Sequence, residues 1–213
     1  EDCCQALGTE INGEKVGSFG DLSIFSFQET KHITTLGEGG MICSNNDELI
    51  EIIAGIRNHA EFYSGKNFLG GNFRMTEIQA AFGIIQLKKI KTILKQFRSN
   101  AKYVIKNLPS EIIPPHTPSN VNNSFLVIGC LYNEKEIGVN RGKFLEKLTK
   151  NRNHILKKDK KSDIKGINMK SGKLISHGYS SPLYDISFYK KFKPKNGCPN
   201  SEQFTKSSFW MDI

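Results

Sequence analysis

The sequence predicts an α/β chain in two parts, a sheet-bearing part over 1–108 and a smaller α+β part over 109–213. Three observations lead there. Leu22-Ser23-Ile24-Phe25 and Met41-Ile42-Cys43 are short apolar runs of β-favouring residues on either side of a loop, which predicts strand, loop, strand with both strands buried. Leu49, Ile52, Ile53 and Ile56 recur at the spacing of an amphipathic helix. Four prolines between Pro109 and Pro118 then interrupt the pattern, and a new strand and helix follow them.

In chain order, residues 1–45 predict short strands joined by glycine turns. Asn46 or Asp47 caps the helix that runs to Ile56, and Arg57-Asn58-His59 follows as a turn in which His59 is an ordinary loop histidine. Residues 60–74 form a loop rich in glycine and aromatics. Thr76 opens a long helix with Ile78, Ala81, Phe82, Ile85, Leu87 and Ile90 broadly on one side, running past Leu94 to Leu108 and stopping before Pro109. The proline segment is a linker, Ser124–Leu131 is a strand, and Arg141–Lys150 is a helix with Phe144, Leu145 and Leu148 inward.

Composition narrows the function classes. An apolar fraction of 38% and a charged fraction of 24% are those of an ordinary soluble protein, and no apolar run approaches the ~20 residues that cross a bilayer. The net charge of +9 is densest at Lys157, Lys158, Lys160, Lys161, Lys165, Lys170 and Lys173. No aromatic residue accompanies those lysines, so the stretch is read as a solvated insertion and not as a nucleic-acid surface. Cys3, Cys4, Cys43, Cys130 and Cys198 are odd in number and match no zinc spacing, which suits reduced thiols in a cytoplasmic protein. Gly37-Glu38-Gly39-Gly40 lacks the lysine-hydroxyl pair of a phosphate-cradling loop and is expected to be a hairpin turn.

The chemistry is concentrated around Lys31. Burying an ammonium is costly, so a lysine held between two strands points to an amine that must lose its proton and attack a carbonyl. A free lysine has a pKa of about 10.4 and needs desolvation or an imine to do so. Ser26 stands upstream of Lys31, and Asp2 stands near the start of the chain. A carboxylate, a hydroxyl and a lysine at one sheet edge suit pyridoxal phosphate, whose ring nitrogen wants an anion, whose phosphate wants hydroxyl donors and whose aldehyde wants an amine.

Several stretches, in this order and spacing, carry a resemblance: Glu1-Asp2 with Gln5-Ala6-Leu7-Gly8, Gly17-Ser18-Phe19-Gly20-Asp21, Phe25-Ser26-Phe27 with Lys31, Gly37 to Met41, Arg57-Asn58-His59, and Gly71 to Ala81. The chain resembles the DegT/DnrJ-type sugar aminotransferases, pyridoxal-phosphate enzymes of fold type I, strongly up to about residue 105 and thinly beyond.

The resemblance implies a division of labour. Lys31 would hold the cofactor and act as the catalytic acid and base, Asp2 would pair with the pyridine nitrogen, Gln5 would lie near the ring, and Ser26 would bind the phosphate. Asn72 would reach across a homodimer interface to the partner's cofactor phosphate. Leu36 is a one-residue length variant. Relatives that remove a hydroxyl carry histidine at the position of Lys31; here the histidine is the next residue, His32, so amine transfer from an amino acid, usually L-glutamate, to a nucleotide-linked keto-sugar is preferred. Family members are about twice as long, so the chain is expected to be a fragment that lacks the first half of the cofactor domain. Such a piece, expressed alone, is expected to bind cofactor poorly and to self-associate. A non-catalytic remnant or a sugar dehydratase relative is the alternative. Substrate preference is expected around His177–Tyr184 and in the part not present.

Overall fold

The computed structural model describes residues 1–60, 69–158, 175–176 and 181–213, and gives only the backbone of 151–158 and 175–176. The lysine-rich stretch expected to be a solvated insertion lies outside the described side chains, as do residues 61–68 of the glycine- and aromatic-rich loop and His177 to Ser180. The chain forms two compact units, Glu1–Ser99 with Thr117–Leu126, and Asn100–His116 with Val127–Ile213. The expected boundary at 108 thus falls within the second unit.

The first unit begins with a small antiparallel sheet. β1 (Glu10–Ile11) pairs with β2 (Glu14–Lys15) through a turn in which Asn12 and Gly13 both have positive φ. β3 (Ser23–Ser26) and β4 (Gly40–Cys43) form an antiparallel pair in the register Ser23 with Cys43 and Ser26 with Gly40. The strand–loop–strand expectation is met, but the strands are not buried as expected: Ile24 is 40% exposed, and β4 is exposed at every residue. The other side of β3 is bridged in parallel to the chain start at Asp2, with Cys3 N–H donating to Ile24 O and Ile24 N–H to Glu1 O.

α1 (Asp47–Arg57) follows the predicted periodicity, and Asn46 caps it by accepting from the Leu49 amide. Thr76 likewise caps α2 (Glu77–Lys88) in a reciprocal capping box with Gln79. The single long helix expected here is in fact two, because Lys89 ends α2 and α3 (Ile90–Lys106) starts beyond it. The Lys89 amide shifts to the Gln86 and Leu87 carbonyls, a tightened last turn. No glycine or proline marks the spot, so packing and not local propensity sets the break. Nor does α2 have the inward face expected of it. None of its residues is buried, and Ile78 is 74% exposed. With Ile84, Ile85 and Leu87 also exposed, its apolar residues lie on more than one side.

Gly8 shows how tightly α3 packs on the start of the chain. It has φ +83, and a Cβ there would sit 2.2 Å from Leu94 Cδ1 of α3. Gly8→Ala is therefore expected to destabilise the protein by about 2 kcal/mol through left-handed strain and overpacking. Urea unfolding of parent and variant measures it, and a change within about 0.5 kcal/mol would show that the turn relaxes freely.

In the second unit, β5 (Ile112–Ile113) lies inside the proline segment that was expected to be only a linker. β6 (Val121–Asn122) belongs to the first unit and pairs with β1. β7 (Val127–Tyr132) starts three residues later than predicted, after Phe125 with its positive φ. Beyond the short α4 (Glu134–Ile137), α5 (Arg141–Lys158) covers the predicted 141–150 helix. β8 (Ile175–Ser176), α6 (Pro199–Ser207) and β9 (Ser208–Asp212) complete an antiparallel sheet in the order β5-β7-β9-β8. The core lies where β7 alternation turns Ile128, Cys130 and Tyr132 inward against Leu145 and Phe209. Phe144 stacks with its ring 4.9 Å from Tyr132 and 5.9 Å from Phe209. All five cysteines are unpaired, and burial pushes the Cys130 thiol up to about 11, so it stays a packing group.

Candidate active site

The site is built on β3 and the strand-like chain start beside it. Residues bridged across strands share a face, and so do residues two apart, so Asp2, Ile24 and Ser26 project to one side. The chain then leaves β3 through Phe27 and Gln28 into the loop that holds Lys31.

That loop is organised by short side chains folding onto backbone. Ser26 Oγ accepts from the Gln28 amide at 3.3 Å, Gln28 Oε1 accepts from the Thr30 amide at 2.8 Å and its hydroxyl at 2.6 Å, and the Lys31 amide donates to Gln28 O at 3.0 Å. Behind Lys31 the loop is anchored in the core by His32, Ile33 and Thr35, all buried. Thr35 Oγ1 and Gln79 Nε2 both donate to Glu38 O at 2.9 Å, which ties the glycine turn to α2. A Cβ on Gly39 would lie 2.0 Å from Thr35 Oγ1, so that glycine is required for the turn to close. Leu36 sits at φ 65 and is exposed.

Asp2 is exposed and accepts from the Cys4 amide at 3.0 Å. The Cys4 thiol beside it, then that amide, hold the Asp2 carboxyl below the ordinary aspartate value against the opposing effect of burial, with the charge of Lys31 a lesser help. Asp2 is therefore an anion throughout the neutral range, within electrostatic reach of the half-buried Lys31. Gln5 stands exposed in the turn that follows.

Asn72 has a separate setting. It is bridged to Asn58, flanked by backbone bonds from His59 to Gly71 and from Phe73 to Arg57, and its Oδ1 accepts from the Arg74 amide at 3.5 Å. Arg74 also donates to Asn58 Oδ1. The structure thus ties Asp2, Ser26 and the loop of Lys31 to β3, leaves Gln5 exposed in the turn after Asp2, and holds Asn72, also exposed, on Asn58 instead.

His32 is the residue that sequence reasoning undervalued. Only 5% exposed, it stacks on Phe97 of α3 at 4.9 Å, and its Nε2 lies 3.3 Å from Ser124 O. Ser124 is locked in turn, its amide donating to Thr9 Oγ1 at 3.0 Å and Thr9 Oγ1 donating to Ser124 Oγ at 2.9 Å. Arg98 binds the carbonyls of Gly8, Asn122 and Asn123 around this cluster. Burial first, then the charges of Arg98 and Lys31, hold the imidazole below its ordinary value, while the Ser124 carbonyl opposes them. The folded protein therefore resists a proton that the unfolded chain accepts. His32 lowers stability as pH falls below the ordinary imidazole value, and has no such cost above it.

A model of the DegT/DnrJ/EryC1/StrS aminotransferase family matches residues 1–213. The chain belongs to this family. Among relatives, a GDP-perosamine synthase of Vibrio cholerae is 40% identical over 124 residues, 56% of this chain and 33% of that protein. A UDP-4-amino-4,6-dideoxy-N-acetyl-beta-L-altrosamine transaminase of Campylobacter jejuni is 47% identical over 95 residues, 42% of this chain and 25% of that protein. The solved structure of Helicobacter pylori PseC, an aminotransferase involved in pseudoaminic acid biosynthesis, is 28% identical with a TM-score of 0.72. That match covers 99% of this chain and 53% of the PseC chain. The chain thus spans about half the length of this solved relative and less of the two curated ones. Among the described residues, no helix is long and apolar enough to cross a membrane.

Proposed function

We propose that this chain carries the lysine side of a pyridoxal-phosphate site that moves an amino group from an amino acid, L-glutamate in the first instance, to a nucleotide-linked keto-sugar. The observation that carries this reading is the placement of an ionised Asp2, the Ser26 hydroxyl and the Lys31 amine on one framework. The donor set fits the cofactor: Lys31 Nζ for its aldehyde, Asp2 for its ring nitrogen, Ser26 Oγ for its phosphate, with Gln5 beside the ring and Asn72 serving a second copy. When bound, pyridoxal phosphate supplies the electron sink that makes loss of a carbon-bound proton feasible.

The chain's own residues do the rest. Lys31 Nζ would hold the cofactor at rest and, once released, take a proton from the donor's α-carbon and return it on the cofactor side. Asp2, kept anionic by Cys4, would hold a proton on the ring nitrogen opposite it. His32 takes no direct part, because its Nε2 is turned to Ser124 O in the core. That orientation favours amine transfer over the hydroxyl-removing alternative, in which a histidine replaces the lysine. The relatives named as a perosamine synthase and an altrosamine transaminase support the substrate class. Pairing of two copies is part of the same proposal, supported by the exposed apolar residues of α2.

The test incubates the purified full-length protein with pyridoxal phosphate, isotopically labelled L-glutamate and a panel of nucleotide-linked keto-sugars. The expected result is label in an amino-sugar nucleotide by mass spectrometry. Loss of a hydroxyl without nitrogen gain would establish the dehydratase instead, and no cofactor uptake at saturating concentration would establish a non-catalytic chain.

A further inference from the structure

We propose that His32 is a positioning residue for Lys31, an uncharged pin whose ring and Nε2 hold the lysine loop against Phe97 and the Ser124 carbonyl. The inference rests on the reading of Lys31 as the cofactor lysine, but its geometry stands independently. The loop from Gln28 to Thr35 lies outside the strands, tied at its ends by Glu29 N–H to Gly37 O and Thr35 N–H to Phe27 O, and Lys31 itself is held by its amide bond to Gln28 O. The residue bonded directly to it is the first of the loop to enter the core, ahead of Ile33 and Thr35. His32 is 5% exposed, its ring is 4.9 Å from Phe97, and its Nε2 is 3.3 Å from Ser124 O.

The far side of this pin is itself rigid. Ser124 is clamped reciprocally with Thr9, and Arg98 holds the carbonyls that precede each of them, Asn122 and Asn123 on one side and Gly8 on the other. The bond to Ser124 O therefore refers the position of Lys31 to the turn after Asp2, which also carries Gly8 and Thr9. Asp2 and Lys31 are thereby set relative to one another through the core and not through solvent.

The chemistry of the pin is specific. In the Nε2–H tautomer a neutral imidazole donates to Ser124 O and still offers an apolar face to Phe97. A charged ring would be buried beside Arg98 and Lys31, the two cations that face it. Phenylalanine at 32 would keep the stack but leave the Ser124 carbonyl without its donor, whereas glutamine would keep a donor and lose the stack.

The experiment is competitive trace acetylation of the full chain at mildly alkaline pH, read at residue level by mass spectrometry, with Lys15 and Lys88 as internal references and no cofactor added. In His32→Phe, Lys31 should acetylate about fivefold faster than in the parent while the references stay within about twofold. His32→Gln should fall between the two. Unchanged Lys31 reactivity in folded His32→Phe would overturn the proposal, and so would an equal rise at all three lysines, which reports general loosening. Should His32→Phe fail to fold, Phe97→Leu removes the stack from the opposite side and is held to the same expectation and the same two overturning results. A parent that never captures pyridoxal phosphate on Lys31 would count against the proposed function alone, because the acetylation ratio needs no cofactor.

Discussion

In the full-length protein, Lys31→Ala is expected to remove covalent capture of pyridoxal phosphate altogether and to lower amine transfer by about 10³-fold or more. The residue would supply both the covalent tether and the proton carrier, and loss of a general acid–base alone costs roughly 10²–10⁴-fold. Borohydride treatment of cofactor-loaded parent should fix the label on Lys31, identified by peptide mass spectrometry. The variant should stay unlabelled while keeping the parent's unfolding midpoint, since alanine keeps the backbone amide of residue 31 that donates to Gln28 O. Label found on another lysine would end the assignment.

Asp2→Asn is expected to leave cofactor capture intact and to slow the glutamate half-reaction roughly 10²–10³-fold, the scale of losing one preorganised electrostatic group. Shape is preserved and charge is lost, so the ring nitrogen would no longer be kept protonated. Stopped-flow absorbance of the half-reaction measures it, and a rate within a few-fold of the parent would sink the role. The pH dependence has a definite sign. The Asp2 carboxyl lies below the ordinary aspartate value in the folded protein, chiefly through the Cys4 thiol and amide. Its contribution to stability is therefore present above the ordinary value and is lost as pH falls through the folded one. Cys4→Ala should move that loss toward higher pH by removing the largest cause.

The neighbourhood of Lys31 was legible in sequence to different depths. Asp2, Ser26 and Lys31 stood out because a carboxylate, a hydroxyl and an amine near strand ends make a chemical set. Gln28 and Thr30, which shape the turn before Lys31, carried a weaker signal. They are short polar residues in a loop, which commonly fold onto backbone, but nothing announced the direction. His32 was visible only as the neighbour that was not the lysine. Its partner, Ser124, is 92 residues away, and no local window spans that separation.

The same divide runs through the fold. The sequence by itself determined the elements whose cause is local. Asn46 and Thr76 start their helices because a side-chain oxygen satisfies a free amide, and α1 and α5 follow from apolar spacing. The hairpin of β3 and β4 follows from two β-favouring runs around a glycine turn. Tertiary structure alone decided the break at Lys89, the strand inside the proline segment, the exposed setting of α2 and β4, and the core pin at His32. Each depends on which distant surface an element meets. Burial and hydrogen-bond pairing are properties of pairs of segments, whereas capping and periodicity are properties of one.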